Sequence, residues 1–548
     1  MKIKNILVQW SIVFTCTLTA ISCNGNNNKS NKSTTPGSDT IPEIANKSTS
    51  VLNSFHSQSG ILLDSAYLPK FFNQYPLLKP HEKDVTALYT RYQHHYIWFD
   101  KNGLIEQAHN LYNTINNLPA HGIFDSIPYH LRIEEKIVVN ENNGANIPLD
   151  PETELLLSAS YIAYAKKVVI GTLDAGMAKQ IDWNLPRKKL SYADLLDSLM
   201  AAPSVASIKE KVNIKQYFLL QDYLKKYRDM EKSGGWKKIP TDPKKKTLKP
   251  GDTSSIIPLI RERLVFTQDL ASNNNSNLYD EDLNNAMIRF KKSNGIKEDN
   301  LITATHIAQM NVPLEKRIEQ IIVNMERCRW IPIIPQNASY IFVNIPEYRL
   351  HYTKNGKVVF ESDVVVGKPM TKTVIFSGDM KYVVFSPYWY VPQSIINKEI
   401  KPGMARNKNY LASHNMEWNG GNVRQKPGPR NSLGLVKFIF PNSNNIYLHD
   451  SPSKPLFKEE ARAFSHGCIR VAKPKELANT ILADDPNWNA EKIDKAMNKG
   501  TEQAYSLKQT LPVYIGYFTA WVDAEGILNF RKDIYARDSR LAAMIIKK

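Results

Sequence analysis

Several signatures that assign common functions are missing from this chain of 548 residues. It has no Gly-rich loop that would cradle phosphates, no zinc-finger spacing and no aromatic signature of RNA-binding domains. The net charge of +18 nevertheless favours anionic surroundings. Because the nucleic-acid motifs are absent, an acidic polymer or an anionic lipid surface is a better partner class than nucleic acid.

Long apolar runs are also scarce. The one candidate, Ile6–Ile21, is shorter than the roughly 20 residues that span a bilayer, so a transmembrane anchor is the weaker interpretation. A basic start, a short apolar run and a small-residue site are typical of an export signal. Ala20-Ile21-Ser22-Cys23 resembles a bacterial lipobox. We expect cleavage after residue 22 and lipidation of Cys23, which would place the protein in the cell envelope, with an ordinary secreted protein as the alternative.

Cysteine is the third scarcity, with four in the chain. Cys16 would leave with the signal and Cys23 would be acylated, so Cys328 and Cys468 remain. Two thiols so far apart form no disulfide framework. A free thiol in an oxidising compartment is kept for a reason, and catalysis is the usual one.

The spacing of apolar residues changes along the chain. It is helical from about Ser54 to Tyr227, and it alternates from Ala338 onwards, where Asn355-Gly356 predicts a hairpin. We therefore predict an α+β multidomain protein. The candidate functional residues of its C-terminal part lie at the ends of strands.

Three short helices are predicted between residues 254 and 311. The second, 280–295, has acidic residues in its first turn and Gly295 just past its end. The pattern, which includes Phe290, resembles the small three-helix peptidoglycan-binding module. It departs from that family at Lys291, where Gln is common.

The most informative segment contains His449-Asp450 and, further on, Ser465-His466-Gly467-Cys468-Ile469-Arg470. A lone His near a Cys is weak evidence, and a lone buried Cys is more often an inert small hydrophobe than a nucleophile. The whole segment resembles the L,D-transpeptidase catalytic motif. In that motif an upstream His precedes Ser-His-Gly-Cys, which is followed by an apolar residue and Arg, and the spacing from His449 to Cys468 matches the family.

The resemblance implies roles that fit the chemistry of these residue types. A thiol attacks a peptide carbonyl as thiolate, although an unperturbed Cys has a pKa near 8.5. The resemblance makes Cys468 the nucleophile and His449 the base, which takes the proton and stabilises the thiolate as an ion pair. The backbone of Asp450 is expected to orient the other ring nitrogen of His449.

The remaining motif residues are expected to shape the site. Gly467 permits a tight turn beside Ser465, and backbone N–H groups around Gly467 and Cys468 are candidates to hold a tetrahedral oxyanion. His466 and Arg470 either organise the pocket or bind a substrate carboxylate, and the sequence does not separate these two roles.

A zinc site is the competing interpretation of the same residues. His449, Asp450, His466 and Cys468 are all possible ligands. No zinc-finger spacing supports this interpretation, and the Ser-His-Gly-Cys context accounts for the residues better. We therefore predict neither a metal nor another cofactor.

The resemblance extends to the larger, multidomain members of the family through segments such as Val343–Leu350 and Gln425–Gly434. Such members have a helical scaffold, a peptidoglycan-binding module and a cap over the active site. The predicted segments are a signal peptide (1–22), a flexible tether (23–53), a helical scaffold domain (54–230), a basic linker (231–252), the peptidoglycan-binding module (253–312), a connecting helix (313–337), a β-rich catalytic domain (338–516) with a cap at about 395–429, and a C-terminal segment packing on the scaffold (517–548).

The resemblance also implies a reaction. Cys468 would be acylated by a peptidoglycan tetrapeptide stem with release of D-alanine, and an amine of a neighbouring stem would resolve the thioester into a 3→3 cross-link. Acylation by carbapenems is implied as well. The alternatives are an L,D-carboxypeptidase, attachment or release of a wall-bound protein, and a non-catalytic lipoprotein that tethers envelope to wall. The oligomeric state stays open.

Overall fold

The structure is a computed structural model that describes residues 60–139, 147–201, 212–242 and 244–546. The predicted signal peptide, the tether and Cys23 lie outside the described residues. Within the described ranges, no helix combines the length and the apolar character needed to cross a bilayer. The predicted combination of a helical N-terminal region and a β-rich C-terminal domain is confirmed.

The N-terminal region is built on one central helix that is buried on almost every side. This helix begins after Asp150, whose carboxylate accepts from the backbone N–H groups of Glu152 and Thr153, and Pro151 occupies its first turn. The helices of the region are α1 (Tyr67–Gln74), α2 (Glu82–Arg91), α3 (Glu106–Asn116), α4 (His130–Glu134), the central α5 (Pro151–Ala165), α6 (Ala175–Gln180), α7 (Tyr192–Met200) and α8 (Lys215–Lys232). Short strands β1 (Phe99–Asp100) and β2 (Gly103–Leu104), 3-10 turns at Pro76–His81 and Leu118–His121, and π-helical turns at Glu135–Val139 and Lys166–Ile170 complete it.

The next unit has three helices around its own apolar core. The elements are β3 (Thr247–Leu248), α9 (Ile257–Phe266), α10 (Glu281–Ser293), β4 (Ile302–Thr303) and α11 (Ala304–Met310). Asp280 caps α10, and a reciprocal Thr303–His306 capping box begins α11. The side chain of Lys291, at the position where the sequence departs from the family pattern, is buried, and its ammonium donates to Asp299 and to the carbonyl of Leu301.

Helix α12 (Leu314–Trp330) is the spine that joins all parts. Every residue from Ile321 to Trp330 is buried, which is typical of a helix inside a core rather than on a surface. It packs against α8 on one side and against the C-terminal segment on the other. Its core cluster is continuous with that of the sheet.

The C-terminal domain is a nine-stranded sheet in the described part of the chain. Its strands are β5 (Tyr340–Asn344), β6 (Arg349–Lys354), β7 (Lys357–Gly367), β8 (Phe376–Phe385), β12 (Val436–Ile439), β13 (Leu448–His449), β14 (Ala463–Ser465), β15 (Ile469–Val471) and β16 (Gln503–Gly516). The order is β14-β7-β15-β13-β12-β8-β16-β5-β6, and β6 also pairs with β7, so the sheet closes on itself. Helices α16 (Pro474–Ile481) and α17 (Ala490–Met497) follow β15, and a 3-10 turn at Lys454–Lys458 follows β13.

The cap between β8 and β12 has a small core of its own. It contains α13 (Gln393–Ile395), a π-helical turn at Ile396–Ile400, α14 (Lys401–Arg406), α15 (Tyr410–Ser413) and a sheet of β10 (Met416–Asn419), β11 (Asn422–Gln425) and β9 (Trp389–Tyr390). Strand β9 belongs to this sheet because it pairs with β11. It lies before the predicted start of the cap at about residue 395, so the cap begins earlier than predicted.

The C-terminal segment contains β17 (Ala520–Val522), β18 (Leu528–Phe530) and α18 (Arg537–Ile545). It contacts the scaffold through Val522, whose N–H donates to Gln216 on α8 over 3.0 Å. It contacts the spine through Asp538, which pairs with Arg327 at 2.7 Å. The segment thus contacts both helix α8 of the scaffold and the spine helix α12.

Candidate active site

Two neighbouring parallel strands bring the predicted residues together. In the register of β13 and β15, Leu448 lies opposite Ile469 and His449 opposite Arg470. Side chains alternate between the faces of a sheet, so His449 and Arg470 share a face with the pair one step before the strands, Tyr447 and Cys468. The sheet therefore gathers side chains that are far apart in sequence.

The thiol of Cys468 is partly accessible and contacts residues that directly precede β13. Its Sγ donates to the backbone carbonyl of Asn445 at 3.6 Å rather than to His449. The phenol of Tyr447 also hydrogen-bonds to the thiol. Sequence reasoning missed Tyr447, although it lies two positions before His449 and strand alternation places it on the same face.

The imidazole of His449 is buried and oriented by the backbone. Its Nδ1 lies 2.5 Å from the carbonyl oxygen of Asp450, so this nitrogen carries the proton and Nε2 is left as an acceptor. The ring packs edge-on against Tyr447 at a centroid distance of 5.7 Å. A neutral imidazole in this tautomer can receive a proton on Nε2.

Burial shifts the pKa values of both His449 and Cys468 away from their charged forms. Burial, with the positive charge of Arg470 adding to it, lowers the pKa of His449 to about 3. Burial also raises the pKa of the Cys468 thiol, and contacts with Tyr447 and Arg470 oppose that shift only in part. Burial thus disfavours the charged form of each group. The thiolate–imidazolium pair stays a prediction, which burial at this site opposes.

Residues Ser465–Cys468 form a tight turn, which we call the nucleophile turn. Gly467 has a φ of +122°, a conformation that a residue with a side chain rarely adopts. The Ser465 hydroxyl spans the turn: it accepts from the Gly467 N–H at 3.1 Å and donates to the Cys468 carbonyl at 2.6 Å. The Gly467 N–H is thus bonded within the turn, and of the two predicted oxyanion donors we therefore favour the Cys468 N–H.

The carboxylate of Asp450 serves the framework rather than the reaction. It accepts from the N–H groups of Leu435 and Ser451 and from the ammonium of Lys454, at 2.9, 2.6 and 2.6 Å. Gly434 passes so close that a Cβ there would lie 2.3 Å from the carboxylate carbon. These contacts fix the end of β13 and, with it, the carbonyl that orients His449.

His466 and Arg470 have different surroundings. His466 is about half exposed, and its Nε2 lies 3.3 Å from the carboxylate of Glu399 in the cap. Arg470 is partly buried, and its Nε is a buried donor without a partner. Among the described residues no carboxylate pairs with Arg470. It is a cation on the thiol side of the sheet that is available to an acidic ligand.

Two further observations concern the zinc interpretation and the second free thiol. In the described ranges, His449, Asp450, His466 and Cys468 do not come together as a group of three metal ligands. Cys328, the other free thiol, is buried in α12, and burial raises its pKa to about 12. A thiol so placed is a packing group.

Comparison with known proteins agrees with the arrangement of the domains. The family model described as the L,D-transpeptidase catalytic domain matches residues 338–515, and a model described as a scaffold domain matches residues 83–224. A Haemophilus influenzae protein named "Putative L,D-transpeptidase" is 32% identical over 256 residues, which are 42% of this chain and 51% of that protein. The chain thus matches about half the length of this curated relative.

Among solved structures, the catalytic domain of the Enterococcus faecium L,D-transpeptidase is 18% identical and covers 33% of this chain and 98% of its own, with a TM-score of 0.18. The L,D-transpeptidase of Mycobacterium smegmatis is 12% identical and covers 32% and 58%, with a TM-score of 0.19. At such scores these structures add no weight to the family match. On the domain models, residues 338–515 form an L,D-transpeptidase catalytic domain and residues 83–224 form a scaffold domain.

Proposed function

We propose that this protein is an L,D-transpeptidase that acylates Cys468 with a peptidoglycan tetrapeptide stem, releases D-alanine and transfers the stem to an amine, which forms a 3→3 cross-link. The observation that carries the proposal is the shared face of β13 and β15. It presents a thiol, a buried imidazole with a free Nε2 and an unpaired guanidinium side by side. No metal or nucleotide enters the reaction.

The proposed reaction begins with the thiol and the imidazole both neutral, which are the forms that burial favours. As the Sγ of Cys468 attacks the carbonyl, its proton passes to Nε2 of His449. Burial disfavours the imidazolium, which then gives the proton to the nitrogen of D-alanine as the C–N bond breaks. An acceptor amine then loses its proton to His449 and attacks the thioester, and the thiolate leaves and is reprotonated.

Arg470 and the Cys468 N–H supply the electrostatic part of the proposal. The unpaired guanidinium would bind a carboxylate of the stem peptide and so hold the scissile carbonyl above Sγ. The Cys468 N–H would donate to the oxyanion. The cap would add to the substrate groove, since Glu399 reaches His466 on the nucleophile turn.

The unit at residues 253–312 would hold a wall strand near the site. Its Lys297 N–H donates to Glu460 at 2.9 Å, and Glu460 lies in the loop that leads to the nucleophile turn. A lipid anchor on Cys23 would keep the protein in the envelope, next to its substrate.

Mass spectrometry of muropeptides after incubation with purified protein tests the proposed reaction. New 3→3 dimers with release of D-alanine support it. Tripeptide stems without dimers indicate an L,D-carboxypeptidase, and transfer to a protein amine indicates attachment of a wall-bound protein. Unchanged muropeptides together with binding to the wall indicate a non-catalytic tether, and the transpeptidase proposal is then rejected.

We predict that Cys468 is alkylated by iodoacetamide more slowly at pH 7 than free cysteine is, and that the rate rises with pH beyond the range of an ordinary thiol. The reason is the raised pKa of the thiol. Arg470→Met should move the profile to still higher pH, because the positive charge lowers that pKa. Rates are measured from pH 6 to 10 in a Cys328→Ala background. Fast alkylation of the wild type at pH 7 would contradict this prediction and support a thiolate–imidazolium pair of Cys468 and His449.

We also predict that binding to purified sacculi weakens as salt increases. The net charge of +18 favours binding to an acidic polymer. Salt weakens this attraction, because the screening length falls to about 10 Å at 0.1 M salt. Sedimentation of the intact chain over a salt series measures this. Deleting 254–311 should weaken sedimentation further at low salt, once circular dichroism shows that the variant has kept its fold. Equal sedimentation of both proteins would reduce this unit to a spacer.

A further inference from the structure

Residues 368–375 form the loop between β7 and β8, which we call the support loop. It hydrogen-bonds to the nucleophile turn. The carbonyl of Ser465 accepts from the Thr371 hydroxyl at 3.0 Å. The carbonyl of Gly467 accepts from the Thr373 hydroxyl at 2.9 Å. Two of the turn's carbonyls are thus bound by side chains of this loop.

The Thr373 hydroxyl has no freedom to turn elsewhere. It is fully buried, it accepts from the Gly367 N–H at 2.9 Å, and its single proton goes to the Gly467 carbonyl. A hydroxyl that is satisfied on both sides acts as a fixed strut between the end of β7 and the nucleophile turn.

The C-terminal segment locks this strut through Tyr535. The phenol donates to the Gly367 carbonyl at 2.6 Å and accepts from the Thr373 N–H at 3.2 Å, so it bridges both anchors of the loop. Tyr535 is itself held: its N–H donates to the Tyr517 hydroxyl at 2.9 Å, and the two rings stack at 5.7 Å. Arg537 lies over both rings and contacts Asp182 of the scaffold region at 3.4 Å.

The contact at the Gly467 carbonyl matters because this carbonyl and the Cys468 N–H belong to the same peptide group. A peptide bond is planar and trans, so the direction of the Gly467 C=O sets the direction of the Cys468 N–H. Glycine imposes little preference of its own on that plane. A hydrogen bond to the carbonyl is therefore what aims the amide of the nucleophile residue.

We infer that Thr373, locked by Tyr535, is a positioning residue that aims the Cys468 N–H at the developing oxyanion; this inference rests on the proposed function. An oxyanion forms only during attack, so its donor stabilises the transition state more than the bound substrate. Loss of the strut lowers kcat and leaves KM nearly unchanged.

Thr373→Val removes the hydroxyl and keeps the shape of the side chain. We expect acylation of Cys468 by a carbapenem, followed by intact-protein mass spectrometry, to slow by about 10²-fold, the usual loss for one oxyanion donor. Alkylation by iodoacetamide displaces iodide at a saturated carbon and forms no oxyanion. It should stay near the wild-type rate, which a merely structural defect would not allow.

Thr373→Ser is the matched control, because it keeps the hydroxyl, and it should recover most of the acylation rate. Tyr535→Phe should slow acylation less than Thr373→Val does, again without slowing alkylation. A fall of both reactions in Thr373→Val, or of neither, overturns the inference. If wild-type Cys468 is alkylated but never acylated by carbapenem or stem peptide, the proposed function fails first and the inference fails with it.

Discussion

Cys468→Ala should abolish turnover, lowering kcat by more than about 10⁴-fold, as removal of a covalent nucleophile does in other hydrolytic sites. Among the described residues no second thiol can replace it, because Cys328 is buried in the spine helix with a pKa raised to about 12. The fold should survive, since the thiol gives up a long contact with the Asn445 carbonyl at 3.6 Å and a hydrogen bond with the Tyr447 phenol. Release of D-alanine, muropeptide analysis and thermal unfolding measure the two effects separately.

Cys328→Ala is the control for this experiment. It removes a buried sulfur atom and should lower the melting temperature slightly while it retains turnover and acyl-adduct formation. The opposite pattern would contradict the assignment: a Cys328 variant that is folded but inactive, together with an active Cys468 variant. The Cys468 result bears on the nucleophile alone, whichever acceptor resolves the thioester.

Local features of the fold were predictable from sequence, because local patterns specify them. Asn355-Gly356 predicts a hairpin, and the structure pairs Lys354 with Lys357 around two residues of positive φ. The change from helical to alternating spacing correctly separates the helical region from the sheet. These signals depend on neighbours along the chain, and they hold wherever the element lies in the protein.

Contacts between distant segments were not predictable in the same way. Trp183 of the scaffold region forms a bridge with Ile375, at the end of the support loop. Tyr535, far along the chain, reaches the opposite side of that loop. No pattern in one sequence indicates which distant backbone a buried hydroxyl will meet, so the hydrogen bonds of Thr373 and Tyr535 that support the site emerged only from the structure.

The candidate site shows the same division. The motif placed Cys468 and His449 together, and the structure brings both to neighbouring strands. Their charge states depend on the depth of burial and on the direction of Arg470, which are tertiary quantities. For that reason the sequence does not indicate that burial disfavours the charged form of each group, and the ion pair stays a prediction.

Glu326→Gln should cause the largest loss of stability, about 3–5 kcal/mol, because it leaves a buried guanidinium without its counter-charge. Glu326 and Arg329 are both fully buried on the spine helix, 2.5 Å apart. The same carboxylate accepts from the Trp330 indole at 3.0 Å and from the Leu173 N–H at 3.3 Å. Leu173 belongs to the scaffold region, so the substitution weakens both the spine and its attachment.

The matched control is Glu319→Gln on the same helix, where the carboxylate pairs with the exposed Lys316 at 2.7 Å. An exposed pair contributes about 0–1 kcal/mol, so this variant should unfold close to the wild type. Replacing both buried partners, Glu326→Leu with Arg329→Met, should recover much of the lost stability, because no charge is then left unpaired. Denaturant midpoints followed by tryptophan fluorescence compare the three variants. Equal midpoints for Glu326→Gln and Glu319→Gln would mean that the stability of the spine does not depend on its buried ion pair.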